Sequence, residues 1–222
     1  MQRSIIITAG GIGKRMQSEL PKQFIVLQNK PVLLHTLERF YDFDPAAQFI
    51  ITLPSEWHSY WQEQVQKYHC TIVHQLVDGG AERFDSIKNA LEVCTGNHIA
   101  VHDGVRPLVS LETIARCFEA LTHTKAVVPV LPVKDTLRKG SAQVSHTEDR
   151  SSYFLVHTPQ CFDALCLKKA YQQAFLPTFT DDASVVEATG IVVQLVQSNE
   201  ENIKLTTPTD LKVLGAFLEK NS

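Results

Sequence analysis

The β-branched run Ser4-Ile5-Ile6-Ile7-Thr8 opens into Ala9-Gly10-Gly11-Ile12-Gly13-Lys14-Arg15, and Pro21-Lys22-Gln23-Phe24 follows shortly after. Glycines let a backbone come close to a ligand and turn successive N–H groups toward an anion. Arg and Lys supply the counter-charge in hydrogen-bonding form. A buried strand emptying into such a loop is where open α/β sheets take nucleotides, so the pattern predicts a triphosphate site. The glycines alone fit a tight strand-to-helix turn equally well; Arg15 and Lys22 beside them point to an anion. A Walker A loop would need Gly where Thr8 stands and Ser or Thr where Arg15 stands. A dinucleotide fingerprint would need a small residue at Met16 and an acid after the strand ending Thr52-Leu53-Pro54, and has neither.

Two further stretches carry chemistry. In Asp78-Gly79-Gly80-Ala81-Glu82-Arg83-Phe84-Asp85-Ser86, Gly79 and Gly80 could let backbone groups meet a flat base edge. There Ser86 could bond a ligand and Arg83 could reach its phosphates, although a plain loop and helix start explains the stretch by itself. In His102-Asp103-Gly104-Val105-Arg106-Pro107, Asp103 could hold a sugar hydroxyl or a metal-bound phosphate, and Arg106 a substrate phosphate. His98 and His102 stand four apart on a strand, a poor metal clamp, and read as packing or surface residues. Thr180-Asp181-Asp182 reads as a helix cap. Lys204 has no functional signal from spacing alone.

The elements that must position these residues alternate. Apolar, Ile/Val-rich strands are predicted over 4–9, 48–53, 71–76, 98–102, 126–131 and 191–196. Helices are predicted over 31–41, 56–68, 82–94, 111–121, 163–174, 182–188 and 209–219. Such alternation predicts a mostly parallel sheet with helices on both faces. The polar segment 132–157 breaks the rhythm. It reads as a hairpin arm turning at Lys139-Gly140-Ser141, and because a lone hairpin is marginal in water it is expected to pack on a second subunit.

A chain of 222 residues with 44% apolar and 20% charged residues can bury one large core, so residues 1–222 are read as one domain carrying that arm. A net charge of −3 gives no basic field for nucleic acid. No apolar run reaches the roughly 18 residues of a membrane span, and the first residues lack a cleavable signal. Five cysteines with no C-x-x-C spacing read as reduced thiols of a cytoplasmic protein.

Together and in this order, these pieces resemble the 2-C-methyl-D-erythritol 4-phosphate cytidylyltransferases over nearly the whole chain. The resemblance rests on Ala9 to Met16, Pro21-Lys22-Gln23, Gly80 with Arg83 and Ser86, His102-Asp103 with Arg106-Pro107, Val133-Lys134-Asp135-Thr136, Asp149-Arg150, Thr158-Pro159-Gln160, Thr180-Asp181 and Asn202-Ile203-Lys204. It implies a Rossmann-like nucleotidyltransferase fold, a homodimer paired through the β-arm, and a reaction of CTP with a sugar-alcohol phosphate. Mg²⁺ would be carried mainly on the CTP phosphates, with no protein ligand named for it. By the same resemblance, Arg15 and Lys22 stabilise charge at the α-phosphate and leaving pyrophosphate, while Arg150 and Lys204 position the incoming phosphate. Ala9, Gly10, Gly11, Gly13, Gly80, Arg83, Ser86 and Gly104 fall to CTP. Asp103, Arg106, Thr136 and Thr180 fall to the acceptor. Thr136 and Arg150 lie on the arm and could serve the neighbour's site. Gly10 and Gly104-Val105 depart from the commoner alanines. Ribitol 5-phosphate cytidylyltransferases share the glycine loop, Pro-Lys-Gln and Asp-x-x-Arg-Pro; the arm motifs favour the erythritol acceptor. A non-catalytic nucleotide-binding protein would not need Arg15, Lys22 and Lys204 together. A dinucleotide-dependent oxidoreductase lacks its third glycine and ribose acid.

Overall fold

The computed structural model describes residues 2–11 and 20–220. Strand β1 (Arg3–Thr8) lies at the centre of the main sheet, parallel to both β4 (Gln48–Leu53) and β6 (His98–Asp103). Beyond β4 comes β5 (Gln75–Asp78), also parallel. Beyond β6 the order continues with β11 (Gln160–Asp163), antiparallel, then β7 (Ala126–Pro132), whose other partners are β10 (Phe154–Val156) and the parallel β12 (Gln194–Gln197).

Side chains alternate across the sheet, and both faces are buried. Ile5, Ile7, Phe49, Ile51, Leu53 and Ala100 face one apolar cluster. It includes Leu33, Leu37 and Phe40 of α1 (Val32–Phe43), Trp61 of α2 (His58–Lys67), and Ile114 and Phe118 of α4 (Leu111–Ala120). Ile6, Ile50, Ile99 and Val101 face the other cluster, with Phe84, Ile87, Ala90 and Leu91 of α3 (Arg83–Val93). Leu167 of α5 (Ala164–Ala170) and Val185 and Val186 of α6 (Asp182–Glu187) complete it. Each fully buried Ile contributes about 1.5–3 kcal/mol over its exposed state, which explains why an uninterrupted apolar run sits at the sheet's centre. Helix α7 (Pro208–Lys220) packs Leu214 into a third cluster with Leu27, Val32 and Leu205. A small hairpin, β2 (Val26–Leu27) with β3 (Lys30–Pro31), turns through Gln28 and Asn29, both at positive φ, and delivers the chain into α1.

The mostly parallel sheet with helices on both faces agrees with the sequence reading; the strand inventory needs corrections, among them the last strand, which starts at Gln194 and not at residue 191. The third strand starts at Gln75, not at residue 71. Strand β11 was not foreseen: four residues, Gln-Cys-Phe-Asp, are too few to show a period. Part of the segment 132–157 belongs to the main sheet, because β10 pairs with β7 there. The separate hairpin is β8 (Leu137–Gly140) with β9 (Ser145–Glu148), and it turns over 141–144. Ser141 N–H donates to the Val144 carbonyl at 2.8 Å, while Lys139 and Gly140 sit in the ladder. Gly140 has φ +136°, and a Cβ there would meet the Val144 oxygen at 2.2 Å, so glycine is required just before the turn.

One irregularity shapes the site. Leu155 pairs with Leu131 and Cys161 with Val127, so six residues advance on the β10–β11 side against four on β7. The extra residues bulge out at 157–159 and carry Thr158 to the end of β6.

Candidate active site

The carboxyl ends of β1, β4, β5 and β6 converge, and two adjoining clefts open above them. The first, of about 250 Å³, is lined among others by Ala9, Gly10, Gly11, Lys22, Gly79, Gly80, Arg83, Ser86, Asp103 and Lys204. The second, of about 310 Å³, is lined by Arg83, Asp103, Arg106, Val156, His157, Thr158, Gln160, Thr180, Asp181 and Lys204. Arg83, Asp103 and Lys204 belong to both walls and mark the seam between them.

Lys22 opens a 3-10 turn, Lys22–Phe24, and its two neighbours fix it. The buried Gln23 amide donates to the Ala9 carbonyl at 2.6 Å. Phe24 is embedded among Trp57, Tyr60 and Trp61, with ring centroids 4.8–6.4 Å apart. The lysine is thereby presented against Gly11, whose Cβ would lie 3.6 Å from Lys22 Cε. Gly13 and Arg15 lie outside the described residues.

The Gly79–Glu82 turn is held from within. Ser86 Oγ accepts the Gly80 N–H at 2.9 Å and donates to the Glu82 carbonyl at 3.2 Å. A Cβ on Gly80 would lie 2.2 Å from Asp85 Cβ, so the turn closes against α3 only because Gly80 has none. Glu82 and Asp85 form a capping box at the start of α3, and Arg83 projects from its first turn. The Ser86 hydroxyl thus shapes the Gly79–Glu82 turn while lining the first cleft.

Asp103 ends β6 and collects cations: Arg106 Nε at 2.9 Å and Lys204 Nζ at 3.1 Å meet its Oδ2. Burial works against its charge, yet Lys204, Arg106 and Arg83 hold the carboxyl well below the usual carboxylate range. Arg106 also donates to the Asn202 carbonyl at 2.7 Å, and the Leu205 N–H donates to the Val105 carbonyl at 2.9 Å. These two bonds clip the 202–205 segment over the loop after β6, which puts Lys204 in the site.

Beneath Asp103 runs a directed chain of hydrogen bonds. The Asp103 N–H donates to Thr158 Oγ1 at 3.1 Å. The Thr158 hydroxyl then donates to His102 Nδ1 at 3.0 Å, and His102 Nε2–H donates to the Arg106 carbonyl at 3.1 Å. This assigns a neutral His102 with its proton on Nε2. Burial pushes its pKa down to about 4. His102 is therefore a packed organiser of the loop. His157, across the second cleft, is also lowered to about 4, by burial first and by Arg106 next.

Three expected site residues fall elsewhere. Gly104 lines neither cleft: a Cβ there would meet Leu33 Cδ1 at 2.9 Å and the Thr8 oxygen at 3.0 Å, so it is a packing glycine against α1 and β1. Val105 lines the first cleft in its place. Thr136 and Arg150 are exposed on the segment around the hairpin, and Arg150 donates to the Lys134 carbonyl. Neither reaches a cleft of its own chain. Thr180 does line the second cleft, its N–H held by Ser184 Oγ at 3.1 Å. The sequence reading assigned no role to His157, Thr158 and Gln160, which join the site only through the bulge between β10 and β11.

Glycine N–H groups, a lysine and a seam of two cations around one ionised carboxylate form an arrangement for bringing two phosphate-bearing molecules together. Residues 4–220 match the family profile of 2-C-methyl-D-erythritol 4-phosphate cytidylyltransferase. The chain belongs to this family. A relative of that name from Bacteroides fragilis is 52% identical over 219 residues, covering 98% of this chain and 100% of the relative. One from Bacteroides thetaiotaomicron is 50% identical over the same shares. The crystal structure of the Thermus thermophilus protein of that name superposes with a TM-score of 0.81 at 31% identity, over 99% of this chain and 100% of the other. A bifunctional protein from Campylobacter jejuni superposes with a TM-score of 0.83 at 30% identity, over 96% of this chain and 54% of its own.

Proposed function

We propose that the chain transfers the cytidylyl group of CTP to 2-C-methyl-D-erythritol 4-phosphate, giving 4-diphosphocytidyl-2-C-methyl-D-erythritol and pyrophosphate. The observation that carries this reading is the pair of clefts meeting at Arg83, Asp103 and Lys204, one walled by glycine turns and the other by polar side chains. CTP occupies the first and the acceptor the second.

A phosphate oxygen of the acceptor attacks the α-phosphorus of CTP in line. The new O–P bond forms as the bond to the bridging oxygen of pyrophosphate breaks, and the electron pair leaves with that oxygen. The attacking group is already an anion, so no protein nucleophile or general base is needed. Catalysis then rests on positioning and on charge stabilisation. Lys22, pinned by Gln23 and Phe24, meets the charge that builds on the α-phosphate and the departing pyrophosphate; Arg15 shares this task. Lys204 and Arg106, anchored on Asp103, hold the acceptor phosphate at the seam. Asp103 keeps its charge under these cations and fixes their spacing.

The donor set fits a Mg²⁺ held mainly by nucleotide phosphate oxygens, since such ions take one or two carboxylates beside substrate phosphates. Asp103 is the buried carboxylate shared by both cleft walls, its Oδ2 already held by Arg106 and Lys204, and the described residues hold no cluster of three metal-ligating side chains, so phosphate oxygens would supply most of the coordination. When bound, the ion would neutralise phosphate charge as pyrophosphate leaves.

The arm and its surroundings support a homodimer. Phe154, Leu155 and Val156 of β10 and Leu195 of β12 are exposed apolar side chains near the arm's base. A partner covering them would also carry Thr136 and Arg150 toward the neighbouring acceptor cleft. All five cysteines are free thiols, which supports the cytoplasm as compartment. Among the described residues no helix is long and apolar enough to cross a membrane.

The test is pyrophosphate release from CTP with Mg²⁺, comparing 2-C-methyl-D-erythritol 4-phosphate with D-ribitol 5-phosphate. Turnover with the first alone is expected. Preference for ribitol 5-phosphate would overturn the acceptor, and release with neither would overturn the reaction.

A further inference from the structure

Asp182 and Tyr171 stand behind the seam between the clefts. Asp182 is 0% exposed, and its carboxylate is engaged on both oxygens. Arg83 Nη1 donates to Oδ1 at 2.8 Å and Nη2 to Oδ2 at 2.6 Å, a fork-to-fork pair. The Tyr171 hydroxyl donates to Oδ1 at 2.5 Å. Tyr171 is itself only 2% exposed, and its ring stacks on Phe84 with centroids 4.7 Å apart. Asp182 is in turn placed by β11: Gln160 Oε1 accepts the Ala183 N–H at 2.8 Å, and Gln160 Nε2 donates to Asp181 Oδ2 at 2.7 Å. A buried amide on the acceptor wall thus clamps the start of α6 and fixes the carboxylate behind Arg83.

We propose that Asp182, backed by Tyr171, is a positioning residue that locks the Arg83 guanidinium at the boundary between the nucleotide and acceptor clefts. The inference rests on the cytidylyl-transfer reading above. A guanidinium carries five N–H donors, and the fork spends two of them, one on each Nη. Those that remain, Nε–H and one N–H on each Nη, are fixed in the guanidinium plane along its two edges, on a residue that lines both clefts. Burying a carboxylate is costly unless it is paired and fully hydrogen-bonded, and here three donors satisfy it. The Arg83–Asp182 pair carries little net charge. Arg83 therefore contributes aimed hydrogen bonds at the reacting phosphates, while Lys204 and Arg106, two cations sharing the one Asp103 carboxylate, leave a net positive charge beside it. A loose Arg83 would keep its charge and lose its aim, and a misplacement of about 1 Å near reacting groups is enough to cost about 100-fold in rate.

The experiment is a double-mutant cycle on the full-length protein, read by pyrophosphate release with 2-C-methyl-D-erythritol 4-phosphate. Asp182→Asn keeps the side-chain volume and removes the charge. It is expected to lower kcat by about 10- to 100-fold while raising the KM for CTP no more than a few-fold. Tyr171→Phe keeps the stacked ring and removes one donor to Asp182; a smaller loss in the same parameter is expected, and it carries the test if Asp182→Asn does not fold. In an Arg83→Ala background either substitution should cost little more, because both act through Arg83. Full multiplication of the two losses would overturn the proposal, as would a lower melting temperature with unchanged kcat. Absence of turnover by the unsubstituted protein would instead overturn the functional reading, which keeps the two failures distinct.

Discussion

Lys22 and Gly104 show how little a side chain's neighbours in sequence say about its task. Both stand in motifs rich in glycine and charge, yet one is aimed into the cleft and the other is wedged beneath it. Lys22→Ala should lower kcat by about 100- to 1000-fold, the scale for removing one donor from a developing anion, with a smaller effect on CTP binding. Near-normal single-turnover rates for that variant would remove Lys22 from the mechanism. Gly104→Ala inserts a methyl where Leu33 and the Thr8 carbonyl already sit, so overpacking should cost about 1–3 kcal/mol of stability in urea unfolding. A stability loss near zero, with a large rise in the KM for CTP, would return Gly104 to the ligand.

Among the elements, the segment between β7 and β10 stands apart from its own chain's clefts. Its Arg150 lines neither of them, and the β8–β9 hairpin pairs only with itself. On the proposed dimer, with arm residues reaching the partner's cleft, Arg150→Ala is expected to raise the KM for the acceptor by about tenfold and to leave that for CTP nearly unchanged. The crossing is checked by mixing. A heterodimer of Arg150→Ala with Lys204→Ala chains keeps one complete site if Arg150 acts in the neighbour, so activity should return on subunit exchange. No recovery in a verified heterodimer would place Arg150 in its own chain's chemistry or outside the chemistry altogether. The bulge between β10 and β11 is the complementary case. By carrying Thr158 to the Asp103 N–H it ties the sheet's antiparallel side to its parallel side at the point where chemistry occurs.

Across the whole molecule, acid should loosen the fold through its neutral histidines. Burial holds the pKa of His102 and of His157 at about 4, below their ordinary 6.5. Between those values the unfolded chain binds more protons than the native one, so stability rises with pH across that window and is lost as pH falls from 6.5 toward 4. For the fully buried His102 the shift is worth on the order of 3 kcal/mol. Asp103, depressed below the usual carboxylate range, adds its own loss only at more acidic pH. Melting temperatures should therefore drop between pH 6.5 and 4, and His157→Gln should flatten part of that slope. A flat profile over this window would contradict the neutral, internally bonded His102.

The layered α/β class, the glycine loop and most of the polar groups that meet above the sheet are legible in the order of the residues. Their signals are local: a two-residue alternation, a capping pattern, a cation beside glycines. Contacts made only on folding are different in kind. Arg83 and Asp182 stand 99 residues apart in sequence, and no short-range pattern announces their pairing. The antiparallel β11 enters the sheet through register with β6 and β7, and its bulge brings His157, Thr158 and Gln160 into the acceptor cleft. Gly104 is a packing residue because α1 passes over it. Long-range pairing is decided by which surfaces are buried together, a property of the whole chain that no single segment encodes.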